Sequence, residues 1–274
     1  MIFTPNGRRW FRASASVLVW VMAAVAAVPV AASAPTALSA DIRTASDQGQ
    51  AERRAWVRLE LASAYFARGQ VTTALDELKQ ALALYPQLAE GLNLRALIYA
   101  SLGQDDRAQD SFDRALALAP QDGSIWHNQG WFWCQRAQYG PAQEAFGKAL
   151  AQALYTGQAK TRLAQGVCLA QAGLEEQAID VLRGAFASDP GQPALAVNLA
   201  HLLARRGHFE EATAYIRRVN REPAWLSAQT LWLGARVEHG LGDDRAAQAL
   251  LQRLRQQFPQ APQAWAAERG AFDE

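Results

Sequence analysis

A chain of 274 residues, half of them apolar, with 27 basic and 26 acidic side chains and a net charge of +1, is not composed like a disordered protein. Three of the basic residues, Arg8, Arg9 and Arg12, lie before the first acid, Asp41; 27 less these three leaves 24 against 26 acids, or −2, for the rest of the chain. That balance supplies no cationic stripe for phosphate contacts and excludes nucleic acid as the charge-driven partner.

The first element in chain order is an export signal. A basic stretch, Arg8-Arg9-Trp10-Phe11-Arg12, precedes an apolar run from Val17 to Val28, and Pro29 and small residues to Ala34 follow. Val30 and Ala32 place cleavage after Ala32, giving a signal peptide over residues 1–32. The alternative is an uncleaved anchor, although the run before Pro29 falls short of the ~20 residues that span a bilayer. The paired arginines faintly resemble a twin-arginine signal, but an ordinary basic leader accounts for them. The first cysteine is Cys134, so there is no site for N-terminal lipidation. The expected location is the periplasm, with a membrane tether if the signal is retained. Residues 33–54, rich in Ala, Ser, Thr and Gln, are expected to form a linker.

Beyond the linker the sequence repeats. Prolines close Ala- and Leu-rich runs at Pro86, Pro120, Pro190 and Pro259. Pro86 and Pro120 are 34 residues apart, the tetratricopeptide period; the next two intervals, 70 and 69 residues, are double periods with small inserts. Six units follow, at 55–88, 89–122, 123–156, 159–192, 193–226 and 228–261. Position 8 of each is small, as helix contact requires: Ala62, Ala96, Gly130, Gly166, Ala200 and Ala235. Position 20, facing it, is Ala74, Ala108, Ala142, Ala178, Ala212 and Ala247. Position 11 is a large apolar knob in five units, and Glu238 departs from this in the sixth. Gly69, Gly103, Gly173, Gly207 and Gly242 mark the turn between helices, with Ala137 in that place in the third unit. The predicted fold is all-α: a tetratricopeptide-repeat superhelix, or α-solenoid, of six helical hairpins, plus a C-terminal capping helix over 262–274. The insert at Tyr155-Thr156-Gly157-Gln158 is expected to bulge outward.

In such a stack, positions 2, 5, 9 and 12 of each first helix line a concave groove. In the first unit these include Trp56, Leu59 and Phe66, either a binding patch or a surface packed under the linker. Leu97 holds position 9 of the second unit, and His127 and Trp131 hold positions 5 and 9 of the third. Trp131 either anchors a partner peptide or packs against the next helix. No lysine occupies position 5, so a clamp for chaperone tails is not expected, and the groove suits an apolar or mixed segment docked as a helix or strand. No phosphate loop, His-Glu-x-x-His or Gly-x-Ser-x-Gly motif is present, and His127, His201, His208 and His239 are not at metal-ligand spacing. The expectation is a protein-binding chain with no catalytic residues, no metal, no cofactor and no small-molecule substrate. The acid pairs Asp105-Asp106, Glu175-Glu176, Glu210-Glu211 and Asp243-Asp244 fall where each second helix starts and offset its dipole.

Several off-consensus stretches carry a closer resemblance. They are His127-Asn128-Gln129-Gly130-Trp131-Phe132-Trp133-Cys134-Gln135, the run from Ala149 to Thr156, Gly166-Val167-Cys168, Leu231-Trp232-Leu233-Gly234-Ala235-Arg236 and Leu254-Arg255-Gln256-Gln257-Phe258-Pro259. In these the chain resembles the type IV pilus biogenesis and stability family, the PilF/PilW tetratricopeptide proteins, over about residues 51 to 265. The resemblance implies a periplasmic factor that helps the pilus secretin assemble in the outer membrane, with the secretin as partner. Family members are commonly lipoproteins, and this chain departs there, which favours a soluble or inner-membrane-tethered factor. The competing reading is a general periplasmic scaffold for envelope or cytochrome assembly; an enzyme with a degenerate site is a third.

The only two cysteines, Cys134 and Cys168, occupy positions 12 and 10 of first helices in neighbouring units. Stacked helices ~8–10 Å apart can bring facing Cα atoms within disulfide range, and some family members carry cysteines in both matching stretches. The alternative is a pair of buried free thiols.

Overall fold

The computed structural model describes residues 45–268. The expected signal peptide, residues 33–44 of the expected linker and residues 269–274 of the expected cap lie outside the described residues.

Helical segments of 12 to 23 residues, most of them rich in alanine, form six antiparallel hairpins. They are α1 (Ala45–Ala67) with α2 (Val71–Leu84), α3 (Ala89–Ser101) with α4 (Asp105–Leu118), and α5 (Gly123–Gln135) with α6 (Tyr139–Leu150). Then come α7 (Gln158–Gln171) with α8 (Glu175–Ser188), α9 (Pro193–Arg205) with α10 (Phe209–Arg221), and α11 (Ala228–Gly240) with α12 (Asp244–Gln257). A single 3-10 turn at Pro223–Trp225 joins α10 to α11, and α13 (Pro262–Glu268) packs on α11 and α12. Each first helix packs on its own second helix and on the second helix of the unit before, so the core is continuous between units rather than central.

Position 8, alanine in four units and glycine in the third and fourth, and the alanine at position 20 are buried in every unit. At Gly130 an added Cβ would lie 2.7 Å from the Phe146 ring and 3.2 Å from the Ala142 carbonyl oxygen. The turn glycines adopt φ between 70° and 80°, and Ala137 adopts φ 56° in the same place. Left-handed backbone costs a side-chain-bearing residue about 1–2 kcal/mol, partly offset by its lower entropy when unfolded. Ala137→Gly is therefore expected to raise stability by about 0.5–1 kcal/mol in chemical denaturation; a loss of stability would contradict the strained turn.

Three expectations change. The linker is helical from Ala45, so α1 runs ten residues beyond the start of the first unit at Ala55. Residues 45–54 contain no proline and are mostly good helix formers, and extending an existing helix avoids the cost of nucleation. The insert does not simply bulge outward. Leu154, just before the insert, projects, 96% exposed, but the half-buried Tyr155 turns in and its hydroxyl bonds Thr161 Oγ1 at 2.8 Å. The acid pairs also do more than face helix dipoles. Asp105 pairs with Arg136 of the next unit at 2.5 Å, Glu175 with Arg205 at 2.5 Å, and Glu176 with Arg206. These pairs, each with at least one exposed partner, are worth about 0–1 kcal/mol each and connect one unit to the next.

Candidate protein-binding groove

The first helices present a groove whose two halves differ. In the first unit the three-residue and seven-residue spacings of Trp56, Leu59 and Phe66 put them on one face of α1. Trp56 is 39% exposed, Phe66 is half-buried, and Leu59, at 7%, belongs to the core with Ala62 and Leu78. Leu59 thus acts as the floor beneath the two aromatics rather than as a contact of its own. Leu97 is half-buried against the cluster of Leu92 and Phe112. Trp131 is half-buried against the cluster of Cys134, Phe146 and Cys168.

His127 is closed off. It is 5% exposed, its Nδ1 lies 2.9 Å from Thr161 Oγ1, and its ring sits 6.1 Å from that of Phe146. Burial lowers its pKa to about 4, and the Lys160 charge acts in the same direction. The chain Tyr155–Thr161–His127 joins the insert to the third and fourth units. Its groove position does not make His127 a partner contact, because Thr161 and the insert cover it.

Farther along, the groove turns cationic. Arg236 is half-buried, and its charge acts on His201, as does that of Arg205. His201 is open to solvent, but the groove walls strip part of its water and lower its pKa; the two arginines push the same way and Glu175 opposes them. Trp232 and Val197 form the buried floor. This half was missed in the sequence, though His201 and Arg236 both hold position 9 of their units and that shared position was the available signal.

The two cysteines meet. Their Cα atoms are 5.8 Å apart, within disulfide range, between α5 and α7. Among the described residues no group of three or more His, Cys, Asp and Glu side chains could hold a metal ion, and no helix is long and apolar enough to cross a membrane.

Comparison with known proteins matches this geometry. Tetratricopeptide-repeat families match residues 62–103, 89–122, 169–224 and 229–261. Among solved structures the chain is similar to PilW, described as a widely conserved type IV pilus biogenesis factor. That likeness has a TM-score of 0.69 and 28% identity, and covers 78% of this chain and 97% of PilW. PilF of Pseudomonas aeruginosa shares the fold at TM-score 0.68 and 20% identity, over 81% of this chain and 99% of that one. YrrB, a tetratricopeptide-repeat protein described as having an unusual peptide-binding site, overlays at TM-score 0.54 and 18% identity, over 70% of this chain and 97% of its own. A search of curated protein sequences returns no match.

Proposed function

We propose that this chain, which belongs to the tetratricopeptide-repeat family and folds like the type IV pilus biogenesis factor PilW, promotes type IV pilus biogenesis from the periplasm by aiding assembly or stability of the outer-membrane secretin. The observation that carries the reading is the likeness to PilW along nearly the whole of that protein. The groove supports it physically. Trp56 and Phe66 offer aromatic surface over a packed floor, the arrangement in which a few large side chains supply most of the binding energy. The leader Arg8 to Ala34 supports export, and a Cys134–Cys168 disulfide suits an oxidising compartment.

Deletion of the gene is expected to leave the secretin unassembled, read as loss of its multimer and of twitching. Normal multimers and normal twitching in the deletion strain would overturn the proposal. Trp56→Ala combined with Phe66→Ala is expected to reproduce the deletion while thermal unfolding of the purified protein stays cooperative. Full complementation by that double variant would place the contact elsewhere.

A further inference from the structure

The C-terminal half of the groove carries a charge pattern that composition does not explain. Over residues 159–261, which make up units four to six, twelve Lys and Arg stand against ten Asp and Glu, so acids are nearly as common as bases. At the groove positions of α7, α9 and α11 that balance is lost: Lys160, His201, Arg236 and His239 stand there, and no acid does. The first three units differ, with Glu90 at a groove position of α3 and neither Lys nor Arg at any.

Its lack of a partner sets Arg236 apart from the arginines that join these units. Arg183, Arg205, Arg206 and Arg217 each pair with a carboxylate of the adjacent unit, from Glu211, Glu175, Glu176 and Glu238 in turn. Arg236 is half-buried in the groove and, among the described residues, has no hydrogen-bond or ion-pair partner. Part of its hydration is lost with no carboxylate to replace it. Desolvation, and then the charges of Arg205 and Arg236, hold the pKa of His201 below its usual value against Glu175, so its ring is neutral near pH 7 and offers one N–H donor.

The floor beside these groups repeats. Val197 precedes His201 by four residues on α9, and Trp232 precedes Arg236 by four on α11, so each helix sets a buried apolar residue one turn from a donor on the same face. An apolar group beside an anionic oxygen fits each pair. Adjacent first helices lie ~8–10 Å apart, which an extended polypeptide crosses in about three residues at ~3.3 Å each. The concave face of a helical-repeat stack is an extended surface of the kind that receives such a segment.

We infer that the groove between α9 and α11 binds an acidic segment of the partner polypeptide in extended form, with a carboxylate held by Arg236, an adjacent apolar side chain on Val197 and Trp232, and an oxygen of the segment met by the His201 N–H. This names the chemistry of the partner and rests on the reading of the groove as a protein-binding surface. It does not require that the partner be a secretin.

The test uses the purified full chain and a fluorescein-labelled peptide, Gly-Ser-Glu-Leu-Glu-Ser-Gly, read by anisotropy at low salt. Its counterparts carry Gln or Lys in place of both Glu. The Glu peptide is expected to bind and the Gln peptide to bind at least about tenfold more weakly, the loss typical of charge-assisted contacts. Arg236→Gln is expected to weaken the Glu peptide by a similar factor. Arg245→Gln removes the same charge from an exposed position of α12 and is expected to change binding less than about twofold. Arg236→Glu is expected to reject the Glu peptide and to bind the Lys peptide more tightly than the wild-type chain does, a gain that misfolding cannot produce. Equal binding of the Glu and Gln peptides would overturn the role of the carboxylate. Equal losses in Arg236→Gln and Arg245→Gln would reduce the effect to general surface charge and overturn the site. Arg236-dependent binding of phosphatidylglycerol vesicles without binding of the Glu peptide would overturn the polypeptide ligand. Secretin multimers and twitching in the deletion strain report separately on the pilus reading, which stands if they are lost there while the peptide tests fail.

Discussion

Phe146→Ala is expected to destabilise the protein by about 3–5 kcal/mol, measured as a fall in the denaturation midpoint at unchanged slope. Phe146 is fully buried at the meeting of the third and fourth units, beside Ala142, Cys134 and Cys168. Removing its ring deletes apolar burial and leaves a cavity between helices that are held from both sides and cannot close over it. The same contact predicts a specific failure of additivity. Gly130→Ala alone places a methyl group 2.7 Å from the Phe146 ring and is expected to cost about 1–3 kcal/mol. In the Phe146→Ala background that methyl enters the vacated space, so the double variant is expected to be more stable than the sum of the single costs implies. Simple addition of the two costs would mean that Gly130 does not meet Phe146 as described.

Reduction of the Cys134–Cys168 pair is expected to lower stability by about 3–4 kcal/mol, on the chain-entropy argument for closing a loop of this length. The two residues are 34 apart in sequence, so a bridge between them would span one whole unit and fasten the third hairpin to the fourth. It acts chiefly by restricting the unfolded chain, so Cys134→Ala with Cys168→Ala is expected to lose nearly the same amount as reduction does. Two titratable thiols in unreduced, unfolded protein would rule the bridge out. Cys134, Cys168 and Phe146 share one cluster, so reducing the pair is also expected to change the measured cost of Phe146→Ala.

The two halves of the groove divide binding between different chemistries. The N-terminal half of the groove offers Trp56 and Phe66, and its C-terminal half offers His201 and Arg236. Apolar and cationic surfaces on one rigid stack can hold separate parts of a partner, and affinity then rises through effective concentration without a new contact.

Sequence alone determined the repeat. A period of 34 residues, small residues at positions 8 and 20 and glycines at the turns are local requirements, since each hairpin must close on itself whatever its neighbours are. The placing of Cys134 and Cys168 on adjacent first helices was legible for the same reason, because stacking carries the period into space. Tertiary structure decided what the repeat does not dictate. His127 and Leu59 hold groove positions, yet Thr161 and the Ala62–Leu78 core claim them. Tyr155 lies in an insert outside the period, and only the space beside α7 turns it inward onto Thr161. Glu238 was visible in sequence as a departure, but its cause was not, because its partner Arg217 lies on the second helix of the preceding unit. Periodicity encodes which faces are buried; the pairing of polar groups between units depends on distances and angles that no spacing along the chain specifies.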